Sequence, residues 1–442
     1  MEESFKNFKM VWVYFVDKCV NFIRQYTKIW NWSKFSKFIF SWIYKQFSYD
    51  KLCLYFSLRN MRKLNLAMAW WWTWGHVFPV KSIIEFINKH PEYSQEISKI
   101  IRFWEKNSLE SEIFDKISKN NQNLFFQTIV SGKYRRETPF KSKLKNIRDL
   151  FKFSRWITQS IYYLKKYEID VIFCKWWYVA LPVVFAWKLL KKKIVVHESD
   201  VHSWLVNRIA SKFATKVFTG FDWVLPNSIT VWQILSDDII SHESIRNIPS
   251  HTKIWEELTL AEQLFYADPN KTYLLVMWWS QWSKRLYQNL IESMKTNKNI
   301  YSNYEIFVVL WKENQDLKSE FDPFKNVYTF DFVSQQDMGL LLKYCDISLT
   351  RAWTTSLAEQ KLYNLKIVMV PIPRTHDQYD NAKYYVEHHD DILLDSNDPN
   401  YKENMLSIFT EYQNFKKDKV TKDILAEISI AKEKIVKELI SQ

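Results

Sequence analysis

Tryptophan occupies the positions of this chain at which tight backbone turns would require glycine. The 442 residues include four glycines and 22 tryptophans, whereas average usage predicts roughly 31 glycines in a chain of this length. Many of the tryptophans cluster in three short segments, which are Trp70–Trp74, Trp176–Trp177 and Trp278–Trp282. Each segment follows a short apolar stretch with strand character and precedes one with helical character. The pattern therefore puts bulky residues in turns that join strands to helices.

A turn between a strand and a helix binds anions when its backbone can approach the ligand closely. Glycine serves there because it adopts positive φ without penalty. Ten tryptophans, the nine in these segments and Trp353, lie in such loops. Left-handed strain of about 1–2 kcal/mol and overpacking of about 1–3 kcal/mol per site sum to roughly 20 kcal/mol. A whole domain is stable by only about 5–15 kcal/mol. We therefore hypothesise that most of these tryptophans stand for glycine. Some bacterial lineages read the UGA codon as glycine, and a translation that reads UGA as tryptophan would produce this pattern. A tryptophan-rich core or aromatic platform is the alternative.

The composition favours anionic partners and gives no sign of a structural metal or a disulfide framework. The net charge is +13 and the pI is about 9.2, which suits nucleic acid, anionic lipid or phosphorylated substrates. The four cysteines have no paired spacing, which favours a reducing compartment, and no apolar run reaches the roughly 18 residues of a spanning helix. Residues 1–60 carry ten Lys/Arg and four Asp/Glu among many aromatics. They are either an interfacial amphipathic segment or an overextended start or linker before Met61.

From Met61 onward, strand-like and helix-like segments alternate, which is typical of parallel α/β sheets. The predicted strands of the first half are Leu64–Ala69, Ile100–Phe103, Leu124–Val130, Val171–Cys174 and Ile194–His197, and its predicted helices are Val80–Asn88, Lys143–Lys166 and Leu205–Phe213. The pattern restarts at Lys271 with strands Tyr273–Met277, Ile306–Leu310, Val327–Phe330, Ile347–Thr350 and Ile367–Val370. We therefore predict an extension over 1–60, Rossmann-like domains over 61–235 and 236–419, and a terminal helix over 420–442 as a candidate to pack back on the first domain.

With glycine restored, the three tryptophan segments resemble the glycine loops of the MurG family of glycosyltransferases. The stretch from Trp70 to Pro79 then reads G-G-G-T-G-G-H-V-F-P, that from Trp176 to Pro182 reads G-G-Y-V-A-L-P, and that from Trp278 to Ser283 reads G-G-S-Q-G-S. The resemblance runs from about 62 to 395. It implies the GT-B architecture, in which two Rossmann-like domains face a cleft. By this resemblance the first domain takes a lipid-linked acceptor and the second takes UDP-GlcNAc.

The resemblance assigns acceptor-side roles to residues of the first domain. His76 is the candidate general base for the acceptor hydroxyl, a task that suits an imidazole with a pKa near neutral; the alternative is that it only caps its loop. Glu198 belongs to a segment that resembles the family's H-E-Q-N…T-N stretch, and it binds acceptor hydroxyls, assists the base, or is merely a solvated strand end. Asp200 replaces the family's usual asparagine, which leaves its role open. The acceptor and phosphate-loop residues are Thr73, Trp74, Gly75, Trp176, Trp177, Tyr178, Asp200 and Asn207.

Donor-side roles fall on residues of the second domain by the same resemblance. Thr354 and Thr355 begin a helix whose N-terminus favours a phosphate, and Glu359 in that helix is expected to accept both ribose hydroxyls. The other donor-binding residues are Ser280 and Gln281 at the diphosphate and sugar, Val333 at the uracil, and Gln378 and Asn381 at the sugar. Any one of these also fits an ordinary helix cap or surface residue, but their order along the chain favours the family.

One segment departs from the family pattern. The junction between the halves, Thr230–Ser236, stands against the family's T-G-N-P-V-R and lacks its phosphate-contacting arginine. Lys284 or Arg285, which follow the third loop, are candidates to supply that charge.

The resemblance implies an inverting transfer of GlcNAc from UDP-GlcNAc to the C4 hydroxyl of undecaprenyl-linked muramyl-pentapeptide, in peptidoglycan synthesis. It requires no cofactor, and no D-x-D-type acidic cluster near the donor loop calls for a metal. The lipid acceptor implies peripheral contact with the cytoplasmic side of the cell membrane, for which Lys133–Arg136 offers basic side chains. The alternatives are another lipid-directed GT-B enzyme, such as a diacylglycerol glycosyltransferase, or a non-catalytic nucleotide-sugar or membrane-binding module if the tryptophans are literal. No motif supports nucleic-acid binding.

Overall fold

The computed structural model describes residues 63–70, 74–104, 124–128, 157–175, 186, 190–203, 205–240, 268, 270–277, 283–373 and 375–441. The predicted extension over 1–60 and the basic stretch Lys133–Arg136 lie outside these residues. Of the helix predicted over Lys143–Lys166, the described part is helical from 157 to 166.

The first sheet has seven parallel strands in the order β3-β2-β1-β4-β5-β6-β7. Its strands are β1 (Leu64–Trp70), β2 (Ile97–Trp104), β3 (Leu124–Thr128), β4 (Val171–Lys175), β5 (Lys193–Glu198), β6 (Lys216–Thr219) and β7 (Ile229–Thr230). The order reverses between β1 and β4, which is the topological switch point of a Rossmann-like sheet. Short runs of β-branched residues predict the central strands because both faces of a parallel sheet are covered.

The second sheet has six parallel strands in the order β10-β9-β8-β11-β12-β13. Its strands are β8 (Thr272–Met277), β9 (Tyr304–Val309), β10 (Val327–Phe330), β11 (Ile347–Thr350), β12 (Lys366–Met369) and β13 (Ile392–Leu393). The switch point here lies between β8 and β11. Two sheets with this order confirm the predicted fold class of two Rossmann-like α/β domains.

Apart from the helical stretch 157–166, eleven α-helices have defined bounds in the described part of the chain; most lie between the strands in sequence, and the last two follow β13. They are α1 (Trp74–Lys89), α2 (Pro91–Ser94), α3 (Leu205–Ser211), α4 (Lys284–Thr296), α5 (Lys298–Tyr301), α6 (Lys318–Phe321), α7 (Gln335–Tyr344), α8 (Thr354–Leu362), α9 (His376–His389), α10 (Tyr401–Glu411) and α11 (Ile424–Ile440). Helix α1 begins at Trp74, six residues before the predicted start at Val80. Trp74, Gly75 and His76 therefore form its first turn rather than part of the preceding loop. No helix among the described residues is long and apolar enough to cross a membrane.

The terminal helix α11 packs on the first sheet although it follows the second sheet in sequence. Its buried residues Ala431, Ile435, Val436 and Leu439 join a core cluster with strands and helices of the first domain. Lys432 in the same helix is fully buried and donates to Asp237 in the segment that connects the sheets. The chain therefore crosses between its two domains twice.

Eight non-glycine residues have positive φ in the described chain, and three of them are Trp223, Trp232 and Trp311. Trp311, with φ 60° and ψ 160°, lies in a region of backbone space that essentially only glycine populates. Trp223, with φ 62°, is 98% exposed, so packing does not hold it in that conformation. Left-handed backbone at a bulky residue is an outlier, and it recurs here at tryptophan.

Candidate active site

Ligands of open α/β sheets bind outside the carboxyl ends of the strands at the switch point. In the first sheet the loops after β1 and β4 flank that point, and in the second sheet the loops after β8 and β11 do so. The three tryptophan segments follow β1, β4 and β8, and Arg351 to Trp353 follow β11. The strand order thus puts the ends of β1, β4, β8 and β11 at the switch points, and these are the strand ends at which the three tryptophan segments and the approach to α8 begin.

Several predicted site residues lie outside the described part of the chain. These are Thr73, Trp176, Trp177, Tyr178, Ser280 and Gln281. His76 is placed on the first turn of α1 by its backbone. The roles that the sequence assigns to these residues stay predictions.

Glu198 ends β5 as a buried carboxylate and not as a solvated strand end, so that alternative is wrong. Its Oε1 accepts from the backbone N–H groups of Ser199 at 2.7 Å and Asp200 at 3.0 Å. Its Oε2 accepts from Asn207 Nδ2 at 2.9 Å. Both oxygens therefore fix the turn that follows β5, and Asn207 in α3 supports that turn through Glu198.

Lys175, which the sequence analysis did not single out, lies fully buried beside this turn at the end of β4. Its Nζ donates to Ser199 Oγ at 2.5 Å and lies 3.4 Å from His197 Nδ1. Burial lowers the pKa of Lys175 to about 8, although the negative charges of Glu198 and Asp200 oppose that change. A lysine at the end of the apolar run Val171–Lys175, directly before the second loop, was the signal that could have revealed it.

His197 lies behind Lys175 and is held neutral by its surroundings. Burial and then the charge of Lys175 lower the pKa of His197 well below its usual value. Its Nε2 lies 3.2 Å from the carbonyl oxygen of Trp232 in the segment that connects the domains. This histidine therefore joins the end of the first sheet to the interdomain connection.

Gln233 lies in the segment that connects the domains, close to the position where the family pattern has a phosphate-contacting arginine. It is fully buried, and its Nε2 donates to the carbonyl oxygen of Ser199 at 2.7 Å. Lys284, one candidate replacement for the missing arginine, forms an exposed ion pair with Asp316. Through the hydrogen bond of Gln233, the connecting segment thus holds the turn that follows β5.

The donor-side residues gather around the N-terminus of α8. Thr354 and Thr355 are its first two residues, and Glu359 lies buried one turn further on. Burial raises the pKa of Glu359 to about 8. Arg351, directly after β11, donates through Nη1 to the carbonyl oxygens of Val370 at 2.8 Å and Pro371 at 3.0 Å, which ties the loops after β11 and β12 together.

Three other predicted donor residues are buried nearby in the second domain. Val333 follows β10 and precedes Ser334, whose hydroxyl caps α7. Gln378 accepts from the backbone N–H of Ile372 at 2.9 Å, while its Nε2 has no partner among the described residues. A buried amide nitrogen without a partner is suited to a ligand oxygen. Asn381 instead has protein partners on both amide atoms.

The described residues contain no group of three or more His, Cys, Asp or Glu side chains that could hold a metal ion. The groups that this arrangement offers are helix N-termini, buried carboxylates and buried amides. Such groups bind phosphates and sugar hydroxyls.

Comparison with known proteins identifies both domains. Residues 67–219 match the glycosyltransferase family 28 N-terminal domain, and residues 274–438 match its C-terminal domain. A UDP-N-acetylglucosamine–N-acetylmuramyl-(pentapeptide) pyrophosphoryl-undecaprenol N-acetylglucosamine transferase of Staphylococcus aureus is 30% identical over 285 residues, which cover 64% of this chain and 74% of that protein. The enzyme with the same name from Borreliella burgdorferi is 29% identical over 332 residues, covering 74% and 82%.

The solved structures agree at the level of the fold. MurG of Acinetobacter baumannii superposes with a TM-score of 0.58 at 17% identity, covering 85% of this chain and 99% of that chain. A putative UDP-N-acetylglucosamine 2-epimerase of Listeria monocytogenes superposes with a TM-score of 0.56 at 10% identity, covering 85% and 95%. The two Rossmann-like domains thus have the GT-B architecture, and the chain belongs to glycosyltransferase family 28, in its MurG branch.

Proposed function

We propose that the protein transfers GlcNAc from UDP-GlcNAc to the C4 hydroxyl of undecaprenyl-pyrophosphoryl-MurNAc-pentapeptide. The observation that supports the proposal is the strand order of two parallel sheets, which puts the ends of β1, β4, β8 and β11, where the predicted binding segments begin, at the switch points. The names of the relatives specify this donor and this acceptor. A diacylglycerol acceptor has no comparable support.

In the proposed reaction, the acceptor C4 oxygen attacks the anomeric carbon, and the bond from that carbon to the UDP oxygen breaks with inversion. A base takes the hydroxyl proton, and UDP leaves with the bonding electron pair. We assign the base to His76 rather than Glu198, because both oxygens of Glu198 already accept hydrogen bonds from three protein groups. Glu198 then orients the acceptor side of the site.

Charge on the departing diphosphate needs stabilisation, which oriented N–H groups supply without reorganisation. The N-terminus of α8, at Thr354 and Thr355, carries a partial positive charge that suits this task. Glu359 would accept the ribose hydroxyls, Val333 would meet the uracil, and Gln378 Nε2, which has no partner in the described part of the chain, would donate to the sugar. The roles of Ser280 and Gln281 at the diphosphate and sugar complete the donor site.

The lipid tail of the acceptor requires the enzyme to work at the cytoplasmic face of the membrane. Basic side chains attract anionic lipid, each by about 1 kcal/mol near the surface, and the chain carries a net charge of +13. Peripheral contact of this kind is part of the proposal.

The test is transfer of labelled GlcNAc by the purified protein to the lipid-linked muramyl-pentapeptide in detergent micelles, with diacylglycerol as a second acceptor and UDP-glucose and UDP-galactose as competing donors. Labelled product on the muramyl acceptor alone supports the proposal, and product on diacylglycerol alone contradicts it. His76→Ala should lower kcat by about 100-fold or more, as loss of a general base does. The matched control is His90→Ala, just beyond the other end of α1, where Nδ1 of the ring lies 2.7 Å from the Phe86 carbonyl oxygen and the ring packs against the rings of Phe86 and Tyr93.

A further inference from the structure

The Asp200 carboxylate lies between the acceptor-side turn of the first domain and the donor-side residues of the second. Its Oδ1 accepts from Asn381 Nδ2 at 3.2 Å and from Thr354 Oγ1 at 3.3 Å. In the opposite direction, the backbone N–H of Val201 donates to Asn381 Oδ1 at 3.0 Å. Asp200, Thr354 and Asn381 are all buried, so these hydrogen bonds join the two domains away from water.

On the first-domain side, the turn that carries Asp200 is held rigidly. The Asp200 N–H donates to Glu198, and the neighbouring Ser199 hydroxyl accepts from Lys175 Nζ. The Lys175 ammonium faces both carboxylates, and their charges favour its protonated form. A shift of Asp200 would therefore also move Glu198.

On the second-domain side, the Asn381 side chain is fully hydrogen-bonded within the protein. Its Nδ2 donates to Ala352 O at 3.2 Å as well as to Asp200, and its Oδ1 accepts from Val201. The side chain thus uses both of its N–H groups and its oxygen within the protein. In this arrangement Asn381 acts as a bridge between domains, and its predicted role at the sugar stays a prediction.

Near Asp200, the other contacts between the domains include a packed apolar contact and an exposed polar contact. Phe221 of the first domain packs edge-on against Tyr384 of α9 with ring centroids 4.6 Å apart. His202 and Asp380 also approach across the domains, at 4.0 Å, but the two side chains are 67% and 36% exposed. Solvent screens such an exposed pair, so Asp200 provides the buried polar link.

We propose that Asp200 is a positioning residue that holds Glu198 and the acceptor-side turn in register with the N-terminus of α8. The inference rests on the proposed transfer reaction, in which these two parts meet the acceptor and the leaving diphosphate. Asp200 acts through Thr354 and Asn381 and does not itself bind donor. Because a displacement of about 1 Å between reacting groups can cost roughly 100-fold in rate, loss of this link affects the transfer step most strongly.

The experiment compares Asp200→Ala, Asp200→Asn and the control Asp222→Ala, which removes an exposed carboxylate next to Phe221 in the first domain. We expect Asp200→Ala to lower kcat by about 100-fold while UDP affinity, measured by calorimetry, stays nearly unchanged. Asp200→Asn keeps an oxygen that can accept from Thr354 and Asn381, so it should recover most of kcat. Asp222→Ala should match the unmodified protein in both measurements.

Two kinetic outcomes overturn the inference. An unchanged kcat in Asp200→Ala means that the link does not position the site. A loss of UDP affinity as large as the loss of kcat means that Asp200 is a donor ligand instead.

Hydrogen exchange gives a readout that does not depend on catalysis. The amide of Val201 and the first turn of α8 should exchange faster in Asp200→Ala than in Asp222→Ala, because the bridge that protects them is lost. Unchanged protection overturns the inference even if no activity is measured. Faster exchange in a protein that transfers no GlcNAc means that the proposed function fails while the bridge stands.

Discussion

The binding of UDP should depend on pH through Glu359, and the dependence can be worked out from its burial. Glu359 is a buried residue of α8, and burial raises the pKa of its carboxyl group to about 8. A carboxylate that accepts hydrogen bonds from two ribose hydroxyls must be ionised, because the protonated acid offers a donor in place of one acceptor. UDP binding below pH 8 therefore requires the release of a proton.

The magnitude follows from the cost of removing that proton. Each pH unit below the pKa of the free protein costs about 1.4 kcal/mol, which is tenfold in affinity. UDP should accordingly bind about tenfold more weakly at pH 7 than above pH 8, and about 100-fold more weakly at pH 6.

Titration calorimetry from pH 6 to pH 9 in buffers of different ionisation enthalpy measures both the affinity and the proton released. Glu359→Gln is the matched control, because it retains the pH dependence of the UDP phosphates and loses that of the carboxylate. Subtracting the two profiles isolates Glu359. The reasoning is refuted if the unmodified protein and Glu359→Gln change affinity in parallel across this range.

The raised pKa of Glu359 also makes the free energy of unfolding depend on pH. The direction of this dependence is opposite to that of an ordinary ion-paired carboxylate. Between the usual pKa of 4.5 and about 8, the folded protein binds more protons at Glu359 than the unfolded chain does. The free energy of unfolding therefore falls as pH rises through this window, by about 1.4 kcal/mol per unit at most. Glu359→Gln should remove that decline, which urea unfolding at pH 5 and pH 8 would detect.

Three further substitutions test individual contacts by chemical unfolding. Gly220→Ala would bring its Cβ to 2.1 Å from Gln233 Nε2, so it should cost about 1–3 kcal/mol; an unchanged midpoint would show that the connecting segment yields easily. In protein produced with tryptophan at position 223, Trp223→Gly should increase the stability by about 1 kcal/mol through relief of left-handed strain, whereas Trp223→Ala should not; equal effects would contradict the strain. Lys432→Met should destabilise the protein by about 1–3 kcal/mol, because Asp237 loses a buried hydrogen-bond partner; a gain in stability would mean that burying the ammonium outweighs the bond.

The sequence predicted the central strands well because each is a short apolar run buried on both faces. Val171–Cys174 and Ile347–Thr350 are examples whose observed bounds differ from the prediction by at most one residue. The strand Lys216–Thr219 and the two-residue edge strands Ile229–Thr230 and Ile392–Leu393 were missed. Two-residue strands show no hydrophobic periodicity, and both residues of Ile229–Thr230 are exposed to solvent.

The candidate site was predicted through motifs, and its cross-domain contacts were not. Asp200 was singled out only as a departure from the family pattern, and nothing local to it indicates hydrogen bonds to residues more than 150 positions away. The hydrogen bond of Lys175 could not be predicted for the same reason, because its partner Ser199 lies in the turn after the neighbouring strand β5. Pairings of this kind depend on strand order, which the sequence gives only indirectly.

The tryptophans connect the sequence, the fold and the proposed chemistry. Trp311 stands in a backbone conformation that essentially only glycine adopts, and Trp232 has φ 68° at the domain junction. Glycine at these positions would remove the strain, and glycine after β1, β4 and β8 would let the backbone meet phosphate. We therefore retain the proposal that most of these tryptophans are glycine in the protein as it is made.

Peptide mass spectrometry of the native protein tests that proposal most directly. The decisive peptides span the segments after β1 and β8, together with Trp311. We predict glycine masses at Trp70, Trp71, Trp278 and Trp279, in segments whose backbone can then approach phosphate. Tryptophan masses at these positions would contradict it, because such loops could not form the anion sites on which the proposed transfer depends.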